Sequence, residues 1–305
     1  MRQITLHTTL AVAALATLFT APAAFAQATF TGTYTQNFSS MGSGTATPAG
    51  WSGVTEAGSH FTFSPNVTNE YDDGDAPLNP NFTTGTLTSS AVEFLTPAQG
   101  SSTGKGTDIV NYSNTLATAQ NGEGSESLGT DPSGNAATIL ELSLTNTTGS
   151  AISAVNLSYD IDRFTTVSDT NGNPSGFANS SVEELPGYEL FYNLTPSNPA
   201  TWVNVSSLNP TVNMGTVAGA VNVPDSVGIT VVPTTTVTLS SDWTNGSTIA
   251  FAWLDDNASA ASPDQEIGLN NVVIAAAPEP SSFALGLVAM GAVFVLLRLR
   301  RQRVA

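Results

Sequence analysis

The chain has 305 residues, 24 acidic and 7 basic, with a formal net charge of −17 at pH 7 and no cysteine. A surface this acidic repels the phosphates of nucleic acid, and without thiols neither a disulfide framework nor a cysteine-ligated zinc site can form. The composition is rich in Thr, Ser, Asn, Gly and Val, which disfavours a helical bundle or an α/β enzyme and favours short strands between turns.

The first 26 residues read as a secretory signal peptide. Arg2 supplies the positive start, Leu10 to Phe19 the apolar core, and Ala24-Phe25-Ala26 a small-x-small cleavage site, leaving Gln27 as the first mature residue. Residues 27–277 then form an ectodomain. Its only basic residues are Lys105 and Arg163 against 23 carboxylates, a formal charge of about −21. Such a surface suits divalent cations or neutral glycans better than anionic partners.

Within the ectodomain the alternation of apolar and polar residues predicts an antiparallel β-sandwich. Residues 28–38 alternate well enough for a first strand, and Gly42, Gly44, Pro48 and Gly50 make a loop that delivers Trp51. Asn69 to Asn81 is turn-rich and holds Asp72, Asp73 and Asp75, a weak cation candidate. Pro97 to Asn135 reads as a long loop interrupted only briefly, for example at Ile109-Val110. Leu140, Leu142 and Leu144 share one strand face, and Val155, Leu157, Tyr159 and Ile161 another. The turn at Asn146 to Ser150 joins them as an expected hairpin. Tyr188, Leu190 and Tyr192 mark a further strand, followed by Trp202-Val203. Val237 with Leu239, then Ile249, Phe251 and Trp253, then Ile267 to Ile274 complete the sandwich.

Candidate sites follow from residue chemistry. Aromatic rings stack on sugar faces, so Trp51, Tyr71, Trp202, Trp243 and Trp253 are possible glycan platforms. Trp243, in the turn-like Ser240 to Gly246, and Trp51 are the preferred pair, and Trp253 is in phase with the core. Asp255, Asp256, Asn257, Asp264 and Glu266 share an expected loop between Trp253 and Ile267, a density of hard oxygen ligands that suits structural calcium. A hydrolase could use Glu183 or Glu184 opposite a distant Asp. His60 reads as an ordinary strand residue, and no nucleophile elbow accompanies it. No catalytic residue is assigned.

The chain closes on three signals in order. Pro278-Glu279-Pro280 is followed by fifteen uncharged residues from Phe283 to Leu297, then by Arg298, Arg300, Arg301 and Arg303. The apolar run is a marginal bilayer span, and the arginines keep its end on the cytoplasmic side. This tail, residues 278–305, closely resembles the PEP-CTERM sorting signal of Gram-negative bacteria. The resemblance implies transient anchoring of a single hydrophobic helix in the inner membrane, processing by an exosortase after passage through the secretion machinery, and delivery to the cell surface or its exopolysaccharide.

The ectodomain is also similar to a jelly-roll-like domain that recurs in PEP-CTERM surface proteins. The likeness rests on Gln36-Asn37-Phe38, Pro48-Ala49-Gly50-Trp51, Leu128-Gly129, Asn146 with Thr148-Gly149, Tyr159 with Asp162 and Arg163, Trp202-Val203, and Phe251, Trp253, Asp255, Asp264 and Leu269. Asn270 and Asn271 stand where that family usually has carboxylates, and Glu126-Ser127 where it has Asp-Arg. The family implies no defined activity. The expected function is therefore a non-enzymatic surface protein of the polysaccharide matrix or biofilm, with a glycan-binding module as the alternative and a glycoside hydrolase behind it.

Overall fold

The computed structural model describes residues 27–57, 87–89, 92–95, 109–112, 127–131, 135–164, 187–198, 201–210, 221, 223, 227–256 and 266–278. Among these the chain is all-β: fourteen strands in two sheets, two short 3-10 turns and no α-helix. The first sheet contains β1 (Ala28–Phe30), β3 (Trp51–Ala57), β4 (Leu87–Ser89), β8 (Asn135–Asn146), β10 (Glu189–Asn193), β11 (Val203–Asn204) and β13 (Thr248–Asp256). Its order is β11-β10-β13-β8-β3-β4, with β1 beside β8. The second contains β2 (Thr33–Gln36), β5 (Val92–Leu95), β6 (Ile109–Tyr112), β7 (Ser127–Thr130), β9 (Ile152–Arg163), β12 (Gly228–Trp243) and β14 (Ile267–Ala276). Its order is β12-β9-β14-β7-β6-β5, with β2 beside β14. All pairs are antiparallel except β1 with β8 and β5 with β6.

The alternation seen in the sequence buries one face of each sheet in a shared core. Leu140, Leu142, Leu144, Leu190, Tyr192, Ile249, Phe251 and Trp253 come from the first sheet, and Val155, Leu157, Tyr159, Ile161, Leu269 and Ile274 from the second. Trp253 sits at its centre, stacked on Trp51 with ring centroids 5.3 Å apart and edge-on to Tyr159 at 6.0 Å. Offset and edge-to-face contacts of this kind add to the area that such rings bury. The Trp51 indole N–H donates to the Tyr34 hydroxyl at 2.7 Å, so its one polar atom is satisfied. Asn111 holds the loop leading to Trp51 by donating to the carbonyls of Gly42 and Gly44 at 2.9 and 2.7 Å.

Three expectations about connectivity are corrected. Residues 28–38 are two strands in different sheets, because the chain turns at Gly32, whose φ of +115° favours glycine. The strands carrying Leu140 and Leu157 do not form a hairpin; β8 and β9 lie in opposite sheets, and the turn between them crosses the sandwich. The expected loop 97–135 contains β6 and β7, which are buried along their whole lengths. Gly129 makes this possible: a Cβ there would lie 2.3 Å from the Tyr112 ring, which covers that position.

The sandwich has two distinct poles. At one, β8 ends, β9 begins, β12 ends and β13 begins. Asn146, fully buried, donates to the carbonyls of Ser150 and Trp243, both at 2.9 Å, and accepts from the Thr148 N–H and hydroxyl. Trp243 closes this pole over Phe30 with ring centroids 4.9 Å apart, its indole N–H donating to Ser247 O at 2.9 Å. Gln27 accepts from Thr145 and Thr248, and the Ala277 N–H donates to Ala154 O at 3.0 Å, so residues 27 and 277 lie at the same pole. The opposite pole lies one strand length away, about 30 Å along a ten-residue strand such as β14.

The second sheet ends on β12, a sixteen-residue strand that pairs only with β9 among the described residues. Pro233 interrupts it, and its register against β9 jumps between Val232 and Thr235. Among the described residues no helix is long and apolar enough to cross a membrane. Residues 1–26 and 279–305, which include Ala24, Ala26, Glu279, Pro280 and Arg298 to Arg303, lie outside the described residues.

Candidate functional site

Among the described residues, the pole opposite residues 27 and 277 gathers buried ionisable groups. There β7, β9 and β13 end and β10 and β14 begin, bringing Thr130, Asp131, Tyr188, Asp255 and Glu266 around Tyr112, with Arg163 at the end of β9, each no more than 2% exposed. Thr130 is the hub. Its hydroxyl donates to Asp255 Oδ2 at 2.5 Å and lies 3.1 Å from the Tyr188 hydroxyl, while its carbonyl accepts from the Tyr112 hydroxyl at 3.2 Å. Tyr188 also donates to Ile267 O at 3.0 Å. Because Thr130 belongs to the second sheet and Asp255 to the first, this contact fastens the sheets together.

The electrostatics follow from burial. Desolvation raises the Tyr112 hydroxyl well above its ordinary range, and the charges of Glu266, Asp131 and Asp255 around it add to that rise. Tyr188 is raised likewise, first by burial and then by Asp255. Both phenols therefore stay protonated and remain hydrogen-bond donors to the groups that hold them.

On the outer face of the second sheet, Asp162 is 2% exposed. It accepts short hydrogen bonding from the Ser127 hydroxyl and a longer contact at 3.5 Å from the Asn270 amide. Burial pushes its carboxyl up to about 6, and neighbouring Asp160 adds to the rise. Gly268 keeps this patch closed, since a Cβ there would lie 2.5 Å from Ser127 and 3.0 Å from the Phe164 ring.

The sequence-predicted residues fall as follows. Trp51 and Trp243, expected as sugar platforms, are 4% and 1% exposed and belong to the core, as does Trp253; none presents a ring face to solvent. Trp243 ends a strand instead of sitting in a turn, and the turn begins at Thr244. Asp255 and Asp256 are not loop residues either, because β13 continues three residues past Trp253. Asp255 points inward in phase with Ile249, Phe251 and Trp253, and it and Glu266 are both fully buried. Asp255 and Glu266 are brought near each other around Tyr112. Asn257 and Asp264 lie outside the described residues, as do His60, Tyr71, Asp72, Asp73, Asp75, Glu183 and Glu184. Among the described residues no three of His, Cys, Asp and Glu are grouped so as to hold a metal ion.

Thr130, Asp131, Tyr112 and Ser127 were not singled out by pattern, although Ser127 and Thr130 flank the Leu128-Gly129 pair. Asp162 and Arg163, matched on the jelly-roll likeness, occupy the same pole. The cluster is enclosed, so its chemistry is that of a latch between sheets. No protein-family model, curated protein or solved structure matches this chain.

Proposed function

We propose that this is an exported protein, sorted to the surface of a Gram-negative cell and retained in its polysaccharide matrix, where a jelly-roll-like sandwich has a structural, non-enzymatic role. One observation carries the reading: the Pro-Glu-Pro motif begins directly after the last described strand of the sandwich. β14 stops at Ala276, the Ala277 N–H makes the last tie to the sandwich among the described residues, and Pro278 opens the Pro-Glu-Pro motif, apolar run and arginine cluster. A processing enzyme acting near the motif would release the intact domain, with no strand sacrificed. The signal-peptide pattern ends at Ala26, and Gln27 already contacts the sandwich, which supports the same reading from the other side.

Intact-mass measurement of the protein recovered from the cell surface tests this. The expected mass lacks residues 1–26 and the arginine cluster. A surface-exposed chain that still carries Arg298 to Arg303 overturns the processing step, and a chain confined to the inner membrane overturns the sorting step. A second reading, binding of glycan by the sandwich itself, is favoured by an amide-lined groove between β2 and β14.

A further inference from the structure

On one border of β14 two strands share the available backbone. β7 pairs with Ile267 to Leu269 and β2 with Val272 to Ala275, which leaves Asn270 and Asn271 between them. The register of β14 against β9, on its other side, jumps at the same place, between Asn270 and Val273. Asn271 takes a left-handed conformation there, φ +46°, which asparagine tolerates better than most residues. The irregularity opens a groove of about 300 Å³ lined by Thr35, Gln36, Asn37, Asn271, Val272 and Val273. That volume is at the small end of the range for ligand sites.

The polar groups are fixed in complementary senses. The Asn271 amide nitrogen donates to Asp160 Oδ2 at 2.7 Å, and its side-chain oxygen remains as an acceptor on an exposed residue. The Asn37 side-chain oxygen accepts from the Ser39 N–H and hydroxyl, which leaves its nitrogen as a donor. Gln36 is held by the Phe38 N–H at 2.7 Å and also hydrogen-bonds Tyr34. Exposed Thr35 adds a hydroxyl that both donates and accepts. No basic side chain lines the groove and Asp160 stands beside it, so phosphate, sulfate and uronate are disfavoured.

We propose that this groove is a subsite for a neutral glycan. Sugar hydroxyls both donate and accept, which matches an acceptor, a donor and a hydroxyl, and half-buried Val273 offers apolar contact for the C–H face of a ring while Val272 beneath it belongs to the core. The assignment rests on the matrix reading for the source of its ligand, the producing cell's exopolysaccharide, and it replaces the buried tryptophans as the point of contact.

The test is affinity electrophoresis of the surface-recovered protein through gels containing the neutral fraction of that exopolysaccharide, dextran, or alginate. Asn271→Gly removes the amide while keeping the left-handed backbone free of strain, and Thr35→Val removes the hydroxyl at nearly constant volume. The expected result is retardation by a neutral glycan and not by alginate, weakened about tenfold in Asn271→Gly, the order of one or two lost hydrogen bonds. The unfolding midpoint should stay unchanged in Thr35→Val, while Asn271→Gly, which also loses its bond to Asp160, is compared at a temperature well below its own midpoint. Parent protein that migrates freely through both neutral glycans overturns the proposal, as does retardation that both variants preserve. Stronger retardation by alginate overturns the neutral assignment. Cell fractionation of the same preparation separates the two ideas: surface recovery without retardation removes the groove alone, and retardation of a chain that never leaves the inner membrane removes the export reading alone.

Discussion

The two poles of this sandwich solve the same closure problem with different chemistry. Where residues 27 and 277 meet, the end is sealed by Trp243 over Phe30 and by Asn146, whose side chain is spent on neutral backbone and hydroxyl partners. At the far pole the seal is Thr130, Tyr188 and Asp255 among further buried carboxylates, with Asp162 on the outer face. The first kind of seal depends on area buried and on shape. The second depends on protonation, since each buried carboxylate is stable only with its donors in place. The end where residues 27 and 277 meet is thus indifferent to pH, and the far end is not.

The contrast breaks most visibly at Trp243. Trp243→Ala should destabilise the domain by about 3–5 kcal/mol, the usual range for removing a buried tryptophan, with the same loss at pH 5 and pH 8. Urea denaturation at both pH values measures it, and a loss that differs strongly between them would erase the distinction between poles.

Asp162 sharpens the other side. Its folded-state carboxyl titrates near 6 against an ordinary 3.8, so the folded protein holds the proton more tightly. Stability is then lost as pH rises from about 4 to 6, and the deficit, roughly 3 kcal/mol by linkage, is fully present above that window. Asp162→Asn, which keeps the shape and an acceptor for Ser127, should flatten this slope and leave the protein more stable at pH 7. Denaturation profiles that superimpose on the parent from pH 4 to 7 would reject the assignment.

Thr130→Val is expected to cost about 1–3 kcal/mol, because Asp255 and Tyr188 lose a shared buried partner while the volume hardly changes. Chemical denaturation reads this directly, and a neutral result would mean that the two sheets do not depend on that hydroxyl. The smallest effect belongs to Gly32, where the chain passes from one sheet to the other. Gly32→Ala has open space for its methyl group but an unfavourable φ, so about 1–2 kcal/mol is expected from the backbone alone. A thermal midpoint identical to the parent's would show that the crossover relaxes freely.

Period-two alternation made β8, β9, β10, β13 and β14 readable, since it marks which residues face inward. It does not say which sheet a strand joins, and β8 and β9 were mispaired for that reason. β6 and β7 were illegible because Ile109 to Tyr112 and Ser127 to Thr130 are buried on both faces and leave no alternation to detect. Gly129 and Gly268 contribute by what they lack, which no pattern of side chains records. Of the far pole, Asp255 was within reach: extending the run Ile249, Phe251, Trp253 by one more step points it into the core. Thr130 and Tyr188 meet it only through the third dimension.

Pro233 has a consequence for how copies of this chain meet one another. Among the described residues β12 borders its sheet for sixteen residues, is rich in Thr and Val, carries Asp242 as its only charge and exposes Val231 at 68%. Such a border is a template for cross-β stacking of one copy on the next. Proline offers no N–H for a neighbouring strand, and the register jump beside it divides the border into Gly228 to Val232 and Thr235 to Thr238. At high concentration the proline and the register jump therefore oppose edge-to-edge fusion of one copy with the next.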